Sequence, residues 1–348
     1  MQKIYWMKAL NLHGINDLRY EDFPMPVRQE GEVLIRVRAS GICGSDIQRI
    51  FDKGTYHFPT IPGHEFSGEI VDAADPVMIG KKVTIFPLIP CFKCEACHIG
   101  EYAQCVDYDY YGSRRDGGFA EYITVKEWNL VMVSDKVSFE EAAMCEPAAV
   151  ALHAIRQSGV EAGDTVAIFG AGPIGIMLGQ WALTLGAFRV ILVDIDQAKL
   201  DFARSMGFEN VINSLKIDPV SEIKRMTDKS GANVCIEGAG VSISLEQGIK
   251  ALKNFGRMVA MGNPLTDMSL TQKGYWEILR KQITLKGTWN SSYNSKNNDW
   301  ETVIRAMETG KLNVKPLISH RFNFSDGIKA FHVMRDRKEY FNKVMFIT

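Results

Sequence analysis

Residues 165–175 read TVAIFGAGPIG, and this stretch decides the fold of the second half of the chain. The run TVAIF predicts a buried strand, and the three glycines after it stand in G-x-G-x-x-G spacing before an apolar helical segment. The first glycine permits a tight turn, the second lets the backbone approach a pyrophosphate, and the third lets helix and strand pack closely. This pattern predicts a dinucleotide site at a helix N-terminus. The residues expected to form it are Gly170, Gly172, Pro173, Ile174 and Gly175.

A second strand, RVILVD, follows at residues 189–194 and ends in Asp194. An acidic residue at that place holds a ribose 2′-hydroxyl and repels a 2′-phosphate. No arginine follows at once, so the sequence favours NAD over NADP. The alternative, a glycine turn that serves packing only, is less favoured because the strand, turn, helix and second strand occur together.

The pattern of predicted strands and helices changes near residue 150, which predicts two domains. The first 150 residues contain short strands with Gly and Pro between them, which is typical of an antiparallel barrel or sandwich. Strands then alternate with helices, which indicates a parallel sheet covered on both faces. The predicted boundaries give one domain from 1–153 with 290–348, carrying a lobe at about 90–106, and a second domain at 154–289.

The composition excludes several classes of function. The chain of 348 residues has a net charge of −1, and 23% of its residues are charged. It therefore lacks the excess of positive charge that attracts nucleic acid or an acidic membrane. Residues 165–188 carry no charge, but their glycines and proline fit a buried strand–turn–helix better than a membrane span. The first residues lack the apolar core of a signal peptide. We therefore expect a cytoplasmic protein.

Four of the seven cysteines lie in the stretch PCFKCEACHIGEYAQC, residues 90–105. Closely spaced cysteines in a reducing compartment are more often metal ligands than disulfides. Four thiolates close a structural zinc site and leave no position for substrate. Free surface thiols are the alternative, but they leave nothing to hold this loop together. The sequence thus predicts a structural zinc on Cys91, Cys94, Cys97 and Cys105.

Three further stretches contain potential metal ligands: GICGSD with Cys43, IPGHEFSG with His64 and Glu65, and CEPAAV with Glu146. Each is weak alone, because a single Cys is usually a small buried hydrophobe and a single His is usually structural. Together, a Cys, a His and a carboxylate supply three ligands of a catalytic zinc and leave one position for substrate.

The order of these motifs, with DGGFAEY between the cysteine lobe and the glycine turn, resembles that of the zinc-dependent medium-chain dehydrogenases. The resemblance runs essentially end to end. It implies an α/β protein with a GroES-like, mainly-β catalytic domain and a Rossmann domain that has a doubly wound parallel sheet. It also implies NAD, two Zn²⁺ per chain, one catalytic and one structural, and a homodimer or homotetramer.

Site residues follow from the same resemblance. It implies a catalytic zinc on Cys43, His64 and Glu146, with Glu65 replacing or exchanging with a ligand or water. Both glutamates are therefore candidate catalytic residues as well as metal ligands.

The hydroxyl of Ser45 matches the group that passes on the substrate proton, and Asp194 and Lys199 match ribose contacts. The chain departs from the family at one position. Many relatives have a histidine five residues after the zinc cysteine, which completes a proton relay, whereas this chain has Gln48. The proton path beyond Ser45 is left open by the sequence.

The adjacent arginines Arg114 and Arg115 suggest a substrate phosphate, although they are equally suited to ion pairs with nearby aspartates. Similarity to a polyol-phosphate branch of the family favours phosphate. We therefore expect a small-molecule substrate, a polyol phosphate whose secondary alcohol is oxidised to a ketose phosphate. The alternatives are an unphosphorylated polyol such as sorbitol or xylitol, L-threonine, and a relative without catalytic activity.

Overall fold

The computed structural model describes residues 5–348, so residues 1–4 of the predicted first domain lie outside the described chain. The chain forms two compact units. One contains the residues up to Pro147 together with Ser292–Thr348, and the other is Ala148–Ser291. The sequence placed these boundaries at 153/154 and 289/290.

The β-strands of the described residues are between two and ten residues long. In chain order they are β1 (Trp6–Gly14), β2 (Asp17–Pro24), β3 (Glu32–Gly41), β4 (Glu65–Asp72), β5 (Lys82–Ile85), β6 (Leu88–Ile89), β7 (Asp109–Tyr110), β8 (Tyr122–Lys126), β9 (Leu130–Met132), β10 (Thr165–Phe169), β11 (Arg189–Asp194), β12 (Val211–Asn213), β13 (Ala232–Glu237), β14 (Leu252–Ala260), β15 (Thr284–Gly287), β16 (Ile318–Phe322) and β17 (Lys343–Ile347).

The α-helices of the described chain lie mostly in its second half. They are α1 (Gly44–Gln48), α2 (Glu95–His98), α3 (Phe139–Ala143), α4 (Cys145–Ser158), α5 (Pro173–Thr184), α6 (Gln197–Ser205), α7 (Pro219–Met226), α8 (Ser242–Ala251), α9 (Gln272–Lys281), α10 (Asp299–Glu308) and α11 (Gly327–Asp336).

The second unit contains a six-stranded sheet in the order β12-β11-β10-β13-β14-β15. Every neighbouring pair in it is parallel, as the alternation of strands and helices predicted. The central strand β10 is buried along its whole length, which explains why its sequence is apolar without alternation. The residues of β15, at the edge, are all exposed.

The first unit is built on a seven-stranded sheet in which β3 pairs with β4, β8 and β17, all antiparallel. The end of β3 positions the site described below. Gly41 lies opposite Glu65 at the start of β4 and opposite Met345 in β17. The C-terminal strand thus returns to the first unit beside the segment that carries Cys43.

The helical stretch beginning near residue 139 is interrupted once. Ser138 caps α3, with Glu141 completing a capping box, and Met144 ends that helix. The next helix, α4, starts at Cys145 and places Pro147 in its first turn, where a missing backbone N–H costs nothing. This break fixes Glu146 at the beginning of α4.

Among residues 5–348, no helix is long and apolar enough to cross a membrane. The uncharged segment at 165–188 forms β10, the glycine turn and α5.

Candidate functional site

The segment after β3 turns directly into α1 at Cys43. This residue occupies the N-cap position of the helix, and its backbone N–H donates to Asp46 Oδ2 at 3.0 Å. An acidic side chain in the first turn satisfies an N–H group that the helix itself leaves unpaired. The Cys43 thiol is therefore held on a rigid turn.

Three predicted metal ligands come together at this turn. Cys43 Sγ, a ring nitrogen of His64 and a carboxylate oxygen of Glu65 all lie within 4.8 Å of one another. His64 and Glu65 are buried. Their thiol, imidazole and carboxylate groups are the donors that zinc takes in proteins, so the set fits that ion.

A carboxylate beneath the site orients the histidine. Asp46 is fully buried, and its Oδ1 lies 3.5 Å from His64 Nδ1. Burial alone raises the pKa of Asp46, but the charges of His64 and Arg49 outweigh it and lower the pKa. Burial likewise opposes the charged form of His64, yet Asp46 and Cys43 raise its pKa well above the usual value. The charges around His64 therefore favour a positive charge at this position.

Arg49 extends this network to the predicted proton acceptor. Its Nη1 donates to Ser45 Oγ at 2.9 Å and to Asp46 Oδ1 at 3.0 Å. The i,i+4 and i,i+3 spacing along the chain places the guanidinium over both side chains.

Glu146 lies beside the cluster but is not one of the three mutually close ligands. The hydroxyl of Tyr110 donates to Glu146 Oε1 at 3.5 Å. Burial raises the pKa of Glu146 to about 7, and the Glu65 carboxylate adds to the rise while His64 opposes it. The two candidate glutamates thus lie close enough to interact, and different partners hold them.

The four-cysteine lobe has the geometry of a closed zinc site. All four sulfurs lie within 4.8 Å of one another, with 3.5 Å between Cys94 and Cys97 and 3.9 Å between Cys91 and Cys97. Four sulfurs at about 2.3 Å from a zinc ion form a tetrahedron with edges of about 3.8 Å. Cys105 also accepts a hydrogen bond from the Cys91 backbone N–H at 3.3 Å.

Backbone groups favour the thiolate form in this lobe. The N–H groups of Val106 and Cys97 lower the pKa of Cys94 to about 6. Burial has the opposite effect on Cys97 and raises its pKa to about 12. A bound cation offsets that cost, so the sulfurs and their backbone donors fit a metal better than free thiols.

The glycine turn has the backbone that the sequence predicted. Gly170 has φ +115°, in the region that favours glycine. A Cβ at Gly175 would collide with the carbonyl oxygen of Gly170, so the third glycine is needed for the helix to approach the strand. Gly172 is the N-cap of α5 and Pro173 is its first residue, with Ile174 following in the first turn.

Asp194 closes the turn from the end of β11. Its Oδ2 accepts a hydrogen bond from the Ala171 N–H at 2.8 Å, and its Oδ1 accepts from Asp196 N–H at 2.9 Å. Lys199 Nζ lies 3.9 Å from the same carboxylate. These contacts fix the carboxylate beside the glycine turn, where a ribose follows a pyrophosphate.

The two adjacent arginines have different surroundings. Arg115 forms an ion pair with Asp109 at 2.8 Å, which is the structural alternative considered from the sequence. Arg114 instead lies between two aromatic rings, 4.2 Å from the centre of Tyr56 and 4.4 Å from that of Tyr108. Among the described residues, no carboxylate forms a salt bridge with Arg114.

Sequence reasoning missed four residues at the metal cluster, namely Asp46, Arg49, Tyr110 and Lys343. Asp46 and Arg49 carried a signal, because both stand one helical turn from Cys43 or Ser45. Tyr110 and Lys343 carried none, since only the fold brings them beside Glu146 and Glu65.

Comparison with known proteins gives consistent results for both units. A family sequence model described as zinc-binding dehydrogenase matches residues 173–309. A second, described as alcohol dehydrogenase GroES-like domain, matches residues 29–135.

Individual relatives cover most of the chain. Galactitol 1-phosphate 5-dehydrogenase of Escherichia coli K12 is 37% identical over 309 residues, which are 87% of this chain and 89% of that protein. Sorbitol dehydrogenase of Bacillus subtilis 168 is 35% identical over 266 residues, 74% of this chain and 75% of that protein. The crystal structure of galactitol-1-phosphate dehydrogenase from Escherichia coli superposes with a TM-score of 0.92 at 34% identity, covering 98% of this chain and 100% of that one.

Proposed function

Because the chain belongs to the family of zinc-binding dehydrogenases, we propose that it oxidises galactitol 1-phosphate to tagatose 6-phosphate with NAD. The family is one of zinc-dependent alcohol and polyol dehydrogenases, which sets the reaction class. The choice of a phosphorylated polyol is supported by the pocket around Arg114 and by the similarity to galactitol 1-phosphate 5-dehydrogenase.

The two zinc ions have separate sets of ligands. Cys43, His64 and one of the two glutamates, Glu65 or Glu146, hold the catalytic ion, while the cysteine lobe holds the structural one. When bound, the catalytic zinc supplies a Lewis acid for the substrate hydroxyl, and NAD supplies the hydride acceptor.

The chain's own residues move the proton and orient the ligands. Ser45 accepts the proton of the substrate hydroxyl, and Asp46 keeps the His64 ring in one orientation through the contact at Nδ1. At the glycine turn, backbone N–H groups at the start of α5 bind the pyrophosphate, and Asp194 and Lys199 contact the ribose.

The substrate assignment rests on the surroundings of the Arg114 side chain. The rings of Tyr56 and Tyr108 lie against its guanidinium, and its Nη2 donates to the Tyr56 hydroxyl at 3.4 Å, so the other terminal N–H groups are the donors left for a ligand. It lines an open pocket of about 560 Å³ that also contains Lys93. A planar, fixed guanidinium edge suits the oxygens of a phosphate.

This pocket is linked to the metal cluster by adjacent rings. The Tyr108 ring, which stacks on Arg114, lies 6.2 Å from the ring of Tyr110, and the Tyr110 hydroxyl contacts Glu146. Asp109, which also lines the pocket, is already paired with Arg115. A polyol bound at the metal cluster thus has the cationic Arg114 nearby, separated from the cluster by the rings of Tyr108 and Tyr110.

Replacing Arg114 by Met tests the assignment, since the stem stays between the rings while the charge is lost. We expect KM for galactitol 1-phosphate to rise roughly tenfold or more, because a charged hydrogen bond contributes about 1.5–3 kcal/mol. The value of kcat should change little, since the reacting carbon is at the other end of the substrate. Use of galactitol should be unaffected.

Arg115→Met combined with Asp109→Asn is the matched control. It removes the neighbouring charge together with its ion-pair partner, so no unpaired carboxylate is left in the pocket, and we expect equal effects on phosphorylated and plain polyols. If Arg114→Met also lowers both efficiencies equally, the arginine is structural. The better assignment is then an unphosphorylated polyol such as sorbitol, in line with the sorbitol dehydrogenase relative.

We also propose that the protein is a homodimer or homotetramer. The edge strand β15 is exposed along its length, and Leu285 within it is 49% exposed. An uncovered strand edge presents unpaired backbone groups, which favours pairing with a second copy. Sedimentation of the purified protein tests this, and a monomer at micromolar concentration would contradict it.

A further inference from the structure

The side chain of Arg49 links two groups that the proposed reaction uses separately. Its Nη1 lies 2.9 Å from Ser45 Oγ and 3.0 Å from Asp46 Oδ1. Ser45 is the proposed proton acceptor, and Asp46 contacts His64.

The hydrogen-bonding capacity of an arginine fixes the direction of this contact. A guanidinium has five donors and no acceptor, and it stays charged in proteins. Arg49 must therefore donate to the Ser45 oxygen and occupies one of its two lone pairs. One lone pair is left for a substrate hydroxyl, and the hydrogen of Ser45 must point away from Arg49.

This geometry also restricts where the proton goes. The substrate hydroxyl proton passes to the free lone pair of Ser45, as the hydrogen of Ser45, a half-buried residue, passes to solvent water. Ser45 stays neutral throughout, and NAD, when bound, would accept the hydride of the substrate carbon with both of its electrons. The proton cannot leave through Arg49, because that side chain accepts none.

We propose that Arg49 is a positioning residue, which orients Ser45 for proton transfer and ties it to the Asp46–His64 pair. It thereby orders the acceptor in a chain that has Gln48 in place of the usual relay histidine. This role rests on the proposed dehydrogenase function but not on the phosphate assignment. It can be tested with any alcohol that the wild-type protein oxidises.

The decisive experiment is a double-mutant cycle of Arg49→Met and Ser45→Ala, measured as kcat for alcohol oxidation. If Arg49 acts through Ser45, Arg49→Met alone should lower kcat roughly tenfold or more, as loss of a charged hydrogen bond does. The double variant should be no slower than Ser45→Ala alone, because the two losses are then not additive. Arg49→Lys, which keeps the positive charge and can still donate a hydrogen bond, should restore part of the rate.

Further readouts separate positioning from damage to the site. Zinc content and NADH affinity of Arg49→Met should match those of the wild type, and its solvent deuterium isotope effect on kcat should rise as proton transfer becomes slower. Arg204→Met is the control, since Arg204 also pairs with an aspartate three residues earlier, at 2.8 Å, but on an exposed helix. It should leave every value unchanged.

Additive losses in the cycle, an unchanged isotope effect or a loss of zinc in the folded Arg49→Met variant would each overturn the proposal. If Arg49→Met does not fold, the cycle is measured with Arg49→Lys in its place. A kcat of Arg49→Lys equal to that of the wild type would then overturn the proposal. If the wild-type protein oxidises no alcohol, the proposed function fails instead.

Discussion

Lys343, the first residue of the C-terminal strand, forms an ion pair with Glu65, the residue that follows His64. Both side chains are buried. The pair fits because Gly41 has no side chain, since a Cβ there would lie 2.8 Å from Lys343 Cε and would collide with a Glu65 carboxylate oxygen. The last strand of the chain thus neutralises one of the two glutamates at the metal cluster.

Lys343→Met should lower the free energy of unfolding by about 3–5 kcal/mol, because it leaves a carboxylate buried without its partner. Lys343→Met combined with Glu65→Gln should recover part of this loss, since no charge is then left unpaired. Urea unfolding with zinc content determined for each variant measures both effects. A double variant less stable than Lys343→Met would contradict the account.

Cys97→Ser should remove one zinc per chain and lower stability, because metal affinity and folding of such a lobe are coupled. Metal analysis after gel filtration measures the ratio. Cys235→Ala, which changes a buried cysteine outside both clusters, should keep two zinc ions. Disulfides among the four lobe cysteines would show the interpretation to be wrong.

Asp194→Ala should narrow the preference for NAD over NADP, since the carboxylate that repels a 2′-phosphate is lost. The ratio of kcat/KM for the two cofactors is the quantity to compare. Asp196→Ala is a close control, because Asp196 caps α6 with its side chain. That variant should lose about 1 kcal/mol of stability with an unchanged cofactor ratio. A wild-type protein that prefers NADP would count against the role of Asp194.

His64→Ala and Cys43→Ala should each abolish turnover while NADH still binds with near wild-type affinity. The physical reason is that the metal ligands and the glycine turn belong to different compact units. NADH fluorescence titration and zinc analysis of each variant provide the check. Retained activity in either variant would argue against a catalytic metal at these residues.

The sequence could predict what depends on short spacing. The glycine turn with Asp194, and the four lobe cysteines, are each contained in a few tens of residues, and their chemistry follows from that spacing. In the structure the four lobe sulfurs lie within 4.8 Å of one another, and Asp194 accepts a hydrogen bond from the Ala171 N–H in the glycine turn.

Contacts set by the tertiary fold could not be predicted in this way. Nothing local pairs Lys343 with Glu65, because only the antiparallel pairing of β3 with both β17 and β4 brings them together. Arg114 and Arg115 likewise look equivalent in the sequence. They differ in their partners. Asp109 forms an ion pair with Arg115, whereas Tyr56, from a distant loop, packs against the guanidinium of Arg114.

The most direct test of the proposed function is NAD reduction by the purified, zinc-loaded protein with galactitol 1-phosphate, galactitol, sorbitol, xylitol and L-threonine. The account predicts that kcat/KM for galactitol 1-phosphate exceeds that for galactitol by about tenfold or more, as one charged hydrogen bond to phosphate requires. Equal or greater efficiency with an unphosphorylated polyol or threonine would contradict it.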